Sequence, residues 1–521
     1  MFKHCFLFFS LLVCSIAVTA SGYASEQMVG DILYLYTPGS GVCTAYSSRA
    51  TISGDVTIAD EMEFDGQTYK VTALGKYLFS GRPNVTSVTL PSTLVSIGDQ
   101  AFYQSKITSI VIPEGVETIG KSVFELCRNL VSATLPSTLV SLGERAFAQS
   151  GLTAVVIPAS LKTLGESAFY NCTGLVSATF AEGSKLSAIP YRAFCQCSVL
   201  SQFPNLPSTV TAIDDEAFRS SGVVAVSLSS NITDFGSYAF ANCYSLKSVT
   251  LPETMTAIPD YFLFTATALE KVNFPSGLKS IGVAAFRQCQ KLTELNLPAS
   301  VEAIGENAFA WCNGAKSLML PTSLKIVERN SFYRVSGITE LYIPDNVVEV
   351  KEGGFGMCAS LKELRLSENL EKIGDLAFSD INAFFSELRI PASVKEIGSK
   401  AFSHNVNSSC GVNRVRLWAE EPPLIAADTF QSYDIDVEVL NGTFEKYYAA
   451  DVWQNFTNLH EGLTSGASAA GADNGDFGTD DWVEAYTLAG QLAYSGAYGS
   501  MRLDRGVYIV RSGMTVRKMA F

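Results

Sequence analysis

The feature that most constrains this chain is a repeat. The stretch Ser245-Leu246-Lys247-Ser248-Val249-Thr250-Leu251-Pro252, preceded by Ala239-Phe240-Ala241-Asn242-Cys243, recurs in variants along most of the sequence. Its template is A-F-x-x-C-x-x-L-x-x-V-x-L-P-x-x-L-x-x-I-G. The phenylalanines that mark it are Phe79, Phe102, Phe124, Phe147, Phe169, Phe194, Phe218, Phe240, Phe264, Phe286, Phe309, Phe332, Phe355, Phe378, Phe402 and, degenerately, Phe430. They make fifteen steps across 351 residues, a mean near 23. A unit this short cannot bury its own apolar face, whereas stacked units can. The fold class is therefore a repeat solenoid, its rungs paired as parallel strands roughly 4.8 Å apart and its length on the order of 70 Å.

Each part of the template has a local expectation. The V-x-L pair (Val88/Leu90, Val249/Leu251, Leu341/Ile343) alternates with period two, as a strand with one buried face does. Proline often follows (Pro91, Pro252, Pro344), where no ladder donor is then needed. The L-x-x-I-G segment (Leu94/Ile97/Gly98, Leu161/Leu164/Gly165, Val301/Ile304/Gly305) is expected to turn the coil, with glycine supplying backbone angles that other residues resist. The x-x-A-F-x-x-C segment suits one helical or 3₁₀ turn with Phe inward. Local bulges are expected where proline is missing, at Phe180-Ala181 and Ser229-Ser230, and in the longer unit Val199 to Leu206.

The flanks differ in composition. In residues 1–24, Lys3 precedes an apolar run from Cys5 to Ala20, with small-residue cleavage sites ending at Ala20 and Ala24. That pattern is a secretory signal, so the chain is expected to be exported, on the cell surface or secreted. No later stretch is long and apolar enough to span a bilayer. Residues 25–75 read as strands punctuated by Gly and Asp, an N-terminal β cap on the array of 76–435. In 436–461, Tyr447, Tyr448, Trp453 and Phe456 stand at near-helical spacing, which predicts an amphipathic capping helix over 441–460. Residues 462–481 are a Gly/Ala/Ser/Asp linker, and 482–521 a small β segment.

Composition excludes several functions. The formal net charge of −14 argues against a nucleic-acid partner, whose phosphates need a basic footprint. Only three histidines are present: His4 leaves with the signal, and His404 and His460 have no nucleophile at motif spacing. No H-E-x-x-H, phosphate-binding loop or dinucleotide fingerprint occurs, and adjacent carboxylates such as Asp214-Asp215 and Glu420-Glu421 are ordinary solvated charges. The chain is expected to be non-enzymatic and to carry no cofactor or metal. Cysteine fits the same picture. Cys127, Cys172, Cys197, Cys243, Cys289, Cys312 and Cys358 all lie three residues after the repeat phenylalanine, in a column where other units carry Ser150, Ser221, Thr267 or Val335. They are expected to be buried free thiols.

With Val and Leu inward, the residues flanking them on each strand point out. Early rungs present small hydroxyls (Ser87/Thr89, Ser132/Thr134, Ser248/Thr250). Later ones present Glu340/Tyr342, Glu363/Arg365, Glu387/Arg389 and Arg414/Arg416, the candidate ligand-binding residues, since Tyr and Arg anchor interfaces disproportionately. Stacking should place Glu363 and Glu387 in one column and Arg365, Arg389 and Arg416 in the next. The same residues are also what a solvated sheet with cross-rung ion pairs would show.

Over about residues 70–435 the template resembles the leucine-rich repeats of BspA-like bacterial surface proteins. The resemblance implies adhesion to, or recognition of, host extracellular or partner-cell proteins. Apart from the resemblance, the alternatives are a surface scaffold module or glycan capture, which calls for aromatic platforms on the sheet face, where Tyr342 is the lone strand aromatic. The segment Trp482 to Lys518, with Gly506-Val507-Tyr508-Ile509-Val510 and the basic Arg517-Lys518, resembles the C-terminal sorting domain of the type IX secretion route of Bacteroidota.

Overall fold

Through most of the described array each coil has three sides, and each side hydrogen-bonds to the same side of a neighbouring coil. The computed structural model describes residues 25–381, 387–403 and 412–464, and the backbone of strands Trp482–Thr487, Leu492–Ala497, Val507–Ser512 and Thr515–Ala520. The expected signal at 1–24, most of the 462–481 linker, and His404 lie outside the described residues.

The first side is the V-x-L strand. Ala225–Ser227, Ser248–Thr250 and Lys271–Asn273 pair in parallel, with Val226, Val249 and Val272 in register. The central residue faces the core and its neighbours face water, as the period of two requires. The long unit around Val199 to Leu206 does interrupt this ladder: it forms no V-x-L strand between Ser177–Phe180 and Ala225–Ser227, and Phe203 packs its ring against Phe218 instead.

The second side corrects an expectation. The L-x-x-I-G segment does not merely turn the coil; it forms its own parallel ladder of two-residue strands, such as Ser96–Ile97, Thr118–Ile119, Ser141–Leu142 and Thr163–Leu164. The isoleucine or leucine faces inward, and the following glycine N–H donates to the preceding rung, Gly120 to Ile97 at 2.9 Å and Gly143 to Ile119 at 2.8 Å. Nor is glycine there for unusual angles. Gly98, Gly165 and Gly305 do not have positive φ; a Cβ on Gly165 would sit 2.4 Å from backbone atoms of the previous rung. Close approach between coils is what favours glycine. Pro190, Asp214 and Pro259 occupy the same place elsewhere, so the constraint is local to each step.

The third side corrects another. The A-F-x-x-C segment is not helical. Its backbone alternates: Gln100 and Gln104, two residues either side of Phe102, have φ of 55° and 58°, and the pattern repeats at Tyr238/Asn242 and Asn307/Trp311. The alternation points every second N–H along the array. Gln100, Phe102 and Gln104 donate to Lys121, Val123 and Glu125 of the next rung at 2.8–3.0 Å, while Ala101, Tyr103 and Ser105 donate back within their own turn. A left-handed residue costs roughly 1 kcal/mol or more, and the compensation is a full set of partners for a buried backbone.

Inside, the phenylalanines stack in one column. Phe102 to Phe124 is 5.2 Å, Phe147 to Phe169 is 5.7 Å and Phe402 to Phe430 is 5.7 Å between ring centres, all close to parallel. The column breaks once. Hydrogen bonding from Leu263 N to Ala285 O puts Leu263, not Phe264, in the anchor position, and Phe262 in the alanine position. Ala266 rather than Thr267 then occupies the cysteine column. The anchor expected at Phe264 is thus displaced by one residue, because Phe262 and Phe264 both flank the true anchor.

The cysteine column is core. All nine described cysteines are free and buried. The seven in register donate Sγ–H to the carbonyl of the anchor residue one rung back, as Cys127 does to Phe102 at 2.9 Å and Cys243 to Phe218 at 3.2 Å. Burial pushes the thiols of Cys127, Cys172 and Cys243 up to about 11, and those of Cys312 and Cys358 to about 12.

The ends continue the ladders. In the N-terminal segment, Gly54–Thr57 pairs in parallel with Val85–Thr89, and Gln67–Leu74 with Ser96–Ile97, while hairpins from Ser25 to Tyr36 and Glu61 to Leu74 cover the first coil. At the other end the long capping helix does not form. Phe444–Ala449 is helical for six residues and Trp453–Asn455 makes one 3₁₀ turn; Asn458–Leu463 then pairs in parallel with Asp436–Leu440. Tyr447, Trp453 and Phe456 pack inward instead, Tyr447 edge-on to Trp453 at 5.5 Å, below the end of the phenylalanine column, while Tyr448 stays exposed. The four C-terminal strands pair antiparallel with one another.

Three outcomes follow from this packing. Phe286→Ala should lower unfolding free energy by roughly 3–5 kcal/mol; a denaturant midpoint equal to the parent's would contradict Phe286 as an anchor. At pH 8 the native protein should leave the nine buried thiols unlabelled by an alkylating reagent until denaturant is added; a native mass lower by two hydrogens per pair would show disulfides instead. Folded thiols hold their protons above the unfolded value of about 8.5, so the stability they contribute is complete below that pH and is lost as pH rises through about 11. The melting temperature should therefore fall above about pH 9, and a flat curve to pH 11 would contradict it.

Candidate recognition face

The V-x-L side carries the candidate residues in two separately paired groups of strands. Glu340–Tyr342 pairs in parallel with Glu363–Arg365, placing Glu340 opposite Glu363 and Tyr342 opposite Arg365. Leu388–Ile390 pairs with Arg414–Leu417, placing Arg389 opposite Arg416. All eight candidates are at least partly exposed, with Arg414 the most open.

The structure also extends the face beyond the expected residues. Asp436–Leu440 and Asn458–Leu463 carry it two rungs further, with Arg414 opposite Asp436 and Arg416 opposite Glu438. Asp436, Glu438 and His460 thus belong to the same surface. The alternation Asp436-Val437-Glu438-Val439 was the signal for this, obscured by reading the aromatics beyond it as a helix.

Charges on the last rungs neutralise one another. Glu387 is shared between Arg389 and Arg416, and Arg416 also holds Glu438 at 2.6 Å. Asp436 takes Arg414 at 2.6 Å on one oxygen and His460 at 2.7 Å on the other. Partial burial works to raise the Asp436 carboxyl, but Arg414 and His460 outweigh it and hold the group below its ordinary range. These pairs are partly exposed and individually worth little; together they stiffen the end of the face.

One step back, at Glu363 and Arg365, the pattern changes. Glu363 Oε2 is shielded from solvent and has no hydrogen-bond partner, and Arg365 has no ion pair among the described residues. A buried acceptor left unmade costs about 1–3 kcal/mol. Beside it stands Tyr342, the one aromatic among the eight candidates.

The remaining carboxylate pairs have structural roles. Asp215 Oδ1 accepts the Ser237 N–H of the next rung at 2.7 Å, and Glu421 pairs with Lys446. Among the described residues no group of three or more His, Cys, Asp or Glu side chains is placed to hold a metal ion, and no helix is long and apolar enough to cross a membrane.

Comparison with known proteins agrees with the repeat. The sequence profile of the BspA-type leucine-rich repeat region, in six copies, matches residues 62–176, 177–293 and 279–409. The sequence has no match among the curated proteins. Similar solved structures include a leucine-rich repeat protein from Bacteroides ovatus, 23% identical, covering 65% of this chain and 100% of its own with a TM-score of 0.44. A leucine-rich cell surface protein from Faecalibacterium prausnitzii is 20% identical, covering 76% of this chain and 96% of its own at 0.41. The pneumococcal vaccine antigen PcpA is 20% identical, covering 85% of this chain and 98% of its own at 0.41. With the profile matching well over half its length, the chain belongs to the BspA-type leucine-rich repeat family.

Proposed function

We propose that this is an exported, non-enzymatic recognition protein that binds an extracellular protein partner through the C-terminal third of its V-x-L face. The observation that carries this is the unpartnered Glu363 Oε2 beside Arg365 and Tyr342, one rung before strands whose charges are ion-paired with one another. A partner that offers a donor to Glu363 and an acceptor to Arg365, and that packs on Tyr342, would satisfy a step that the fold leaves open on this side of the coil. The ion-paired rungs from Glu387 to His460 form its rigid flank, and specificity comes from matching that fixed pattern of charge. Family membership supports a surface role, and Lys3 with the apolar run after it supports export. The C-terminal strands, with their resemblance to type IX sorting domains, are the part that would direct the protein to the outer surface.

The full chain carrying Tyr342→Ala, Arg365→Ala and Arg389→Ala together should bind immobilised extracellular-matrix or cell-surface protein at least tenfold more weakly than the parent, with an unchanged melting temperature. Undiminished binding by the folded triple variant would show the patch to be only a solvated surface.

A further inference from the structure

A second surface is built on the A-F side of the coil, away from the sheet. Over six consecutive rungs, the positions flanking the anchor carry rings and guanidinium groups that touch across four of the five steps. The Arg219 guanidinium lies over Tyr238 at 5.6 Å, and Tyr238 stacks on Tyr261 at 4.4 Å with their planes 5° apart. Tyr261 meets Phe264 edge-on at 5.7 Å, and Arg287 lies over Phe264 at 6.0 Å. Further along, Arg334 sits on Trp311 at 4.0 Å. All of these side chains are partly exposed. Phe264 stands out in the sequence only as a repeat anchor and the others do not stand out, because the register that aligns them depends on the left-handed turn and on Leu263 as the anchor.

Charge along this edge is uneven. Arg219 is neutralised by Glu216, which also pairs with Arg192. Arg287 and Arg334 have no ion pair among the described residues, and Arg287 Nε is shielded from solvent with no hydrogen-bond partner at all. In a chain of net charge −14, two cations two rungs apart are held on aromatic faces and left uncompensated. Stacking fixes the guanidinium plane while keeping its N–H groups free to donate to an oxyanion.

The backbone of this edge limits what can dock. Thr265, Gln288 and Trp311 each donate their N–H to the next rung at 2.7–2.8 Å, so no open strand edge is available for an extended peptide. What remains is a shallow row of rings at about the rung spacing of 4.8 Å, with amide side chains such as Gln288 between them. The apolar C–H face of a sugar ring lies flat on such a surface, its hydroxyls reach amides, and its acidic substituents reach guanidinium groups. We propose that this edge binds an acidic polysaccharide, with sugar rings on Phe264 and Trp311 and uronate or sulfate groups on Arg287 and Arg334.

Affinity electrophoresis of the full chain through gels containing polygalacturonate, chondroitin sulfate or dextran tests this. Retardation is expected in at least one of the acidic gels and not in dextran, and comparison of the two acidic gels separates carboxylate from sulfate recognition. Trp311→Ala combined with Arg334→Ala should weaken that retardation at least tenfold with an unchanged melting temperature. Tyr342→Ala combined with Arg365→Ala, on the other face, should leave it intact. No retardation in either acidic gel, equal retardation in dextran, or equal retardation of the Trp311/Arg334 variant would overturn the proposal. So would loss of protein capture by that variant without any saccharide binding by the parent.

Discussion

The structure depends on one constraint: each coil must satisfy its neighbour's backbone on all three sides. Strands do this easily, and the V-x-L and I-G segments are strands. The A-F side has no such simple solution, since it must both bend sharply and present donors along the array. Alternating right- and left-handed residues around the phenylalanine accomplish both, and the inter-rung bonds they make are as regular as those of a sheet. Without them the tightest corner of every coil would bury unpaired N–H groups.

Side-chain chemistry follows from that arrangement. Because successive corners stack in register, their phenylalanines fall ring on ring, and the residue three places on falls beside the previous rung's carbonyl. A small side chain with a weak donor suits that position, which is why cysteine and serine recur there, and Ser105 lies 3.3 Å from Cys127. The same stacking converts single substitutions on the surface into columns. Arg389 over Arg416 on the sheet and Tyr238 over Tyr261 on the corner are both products of it, and both surfaces could only have been assembled by a repeat.

Much of this was legible before any coordinates. A period near 23 with Val249/Leu251-type alternation led directly to stacked parallel strands, to buried thiols and to Glu340–Arg416 on one face. What escaped had physical reasons. Gly165 reads as a flexible residue in sequence, but its role is close contact with a backbone that only the stacked coil supplies. Left-handed residues such as Gln104 and Tyr238 carry no compositional mark, since hydrogen bonds from a neighbouring unit impose their conformation. Tyr447, Trp453 and Phe456 do have near-helical spacing, yet the end of the phenylalanine column offered them a better place to bury. The unpartnered Glu363 oxygen is a matter of side-chain geometry and is invisible in sequence.

Backbone hydrogen exchange at the corners tests the central claim most directly. If the corners are locked by inter-rung bonds, the amides of Phe240, Asn242, Phe286 and Gln288 should exchange as slowly as the strand amide of Val249, although conventional assignment places them in turns. Exchange at those four positions as fast as at an open loop, with Val249 still protected, would contradict the three-sided coil and the register from which both proposed surfaces are derived.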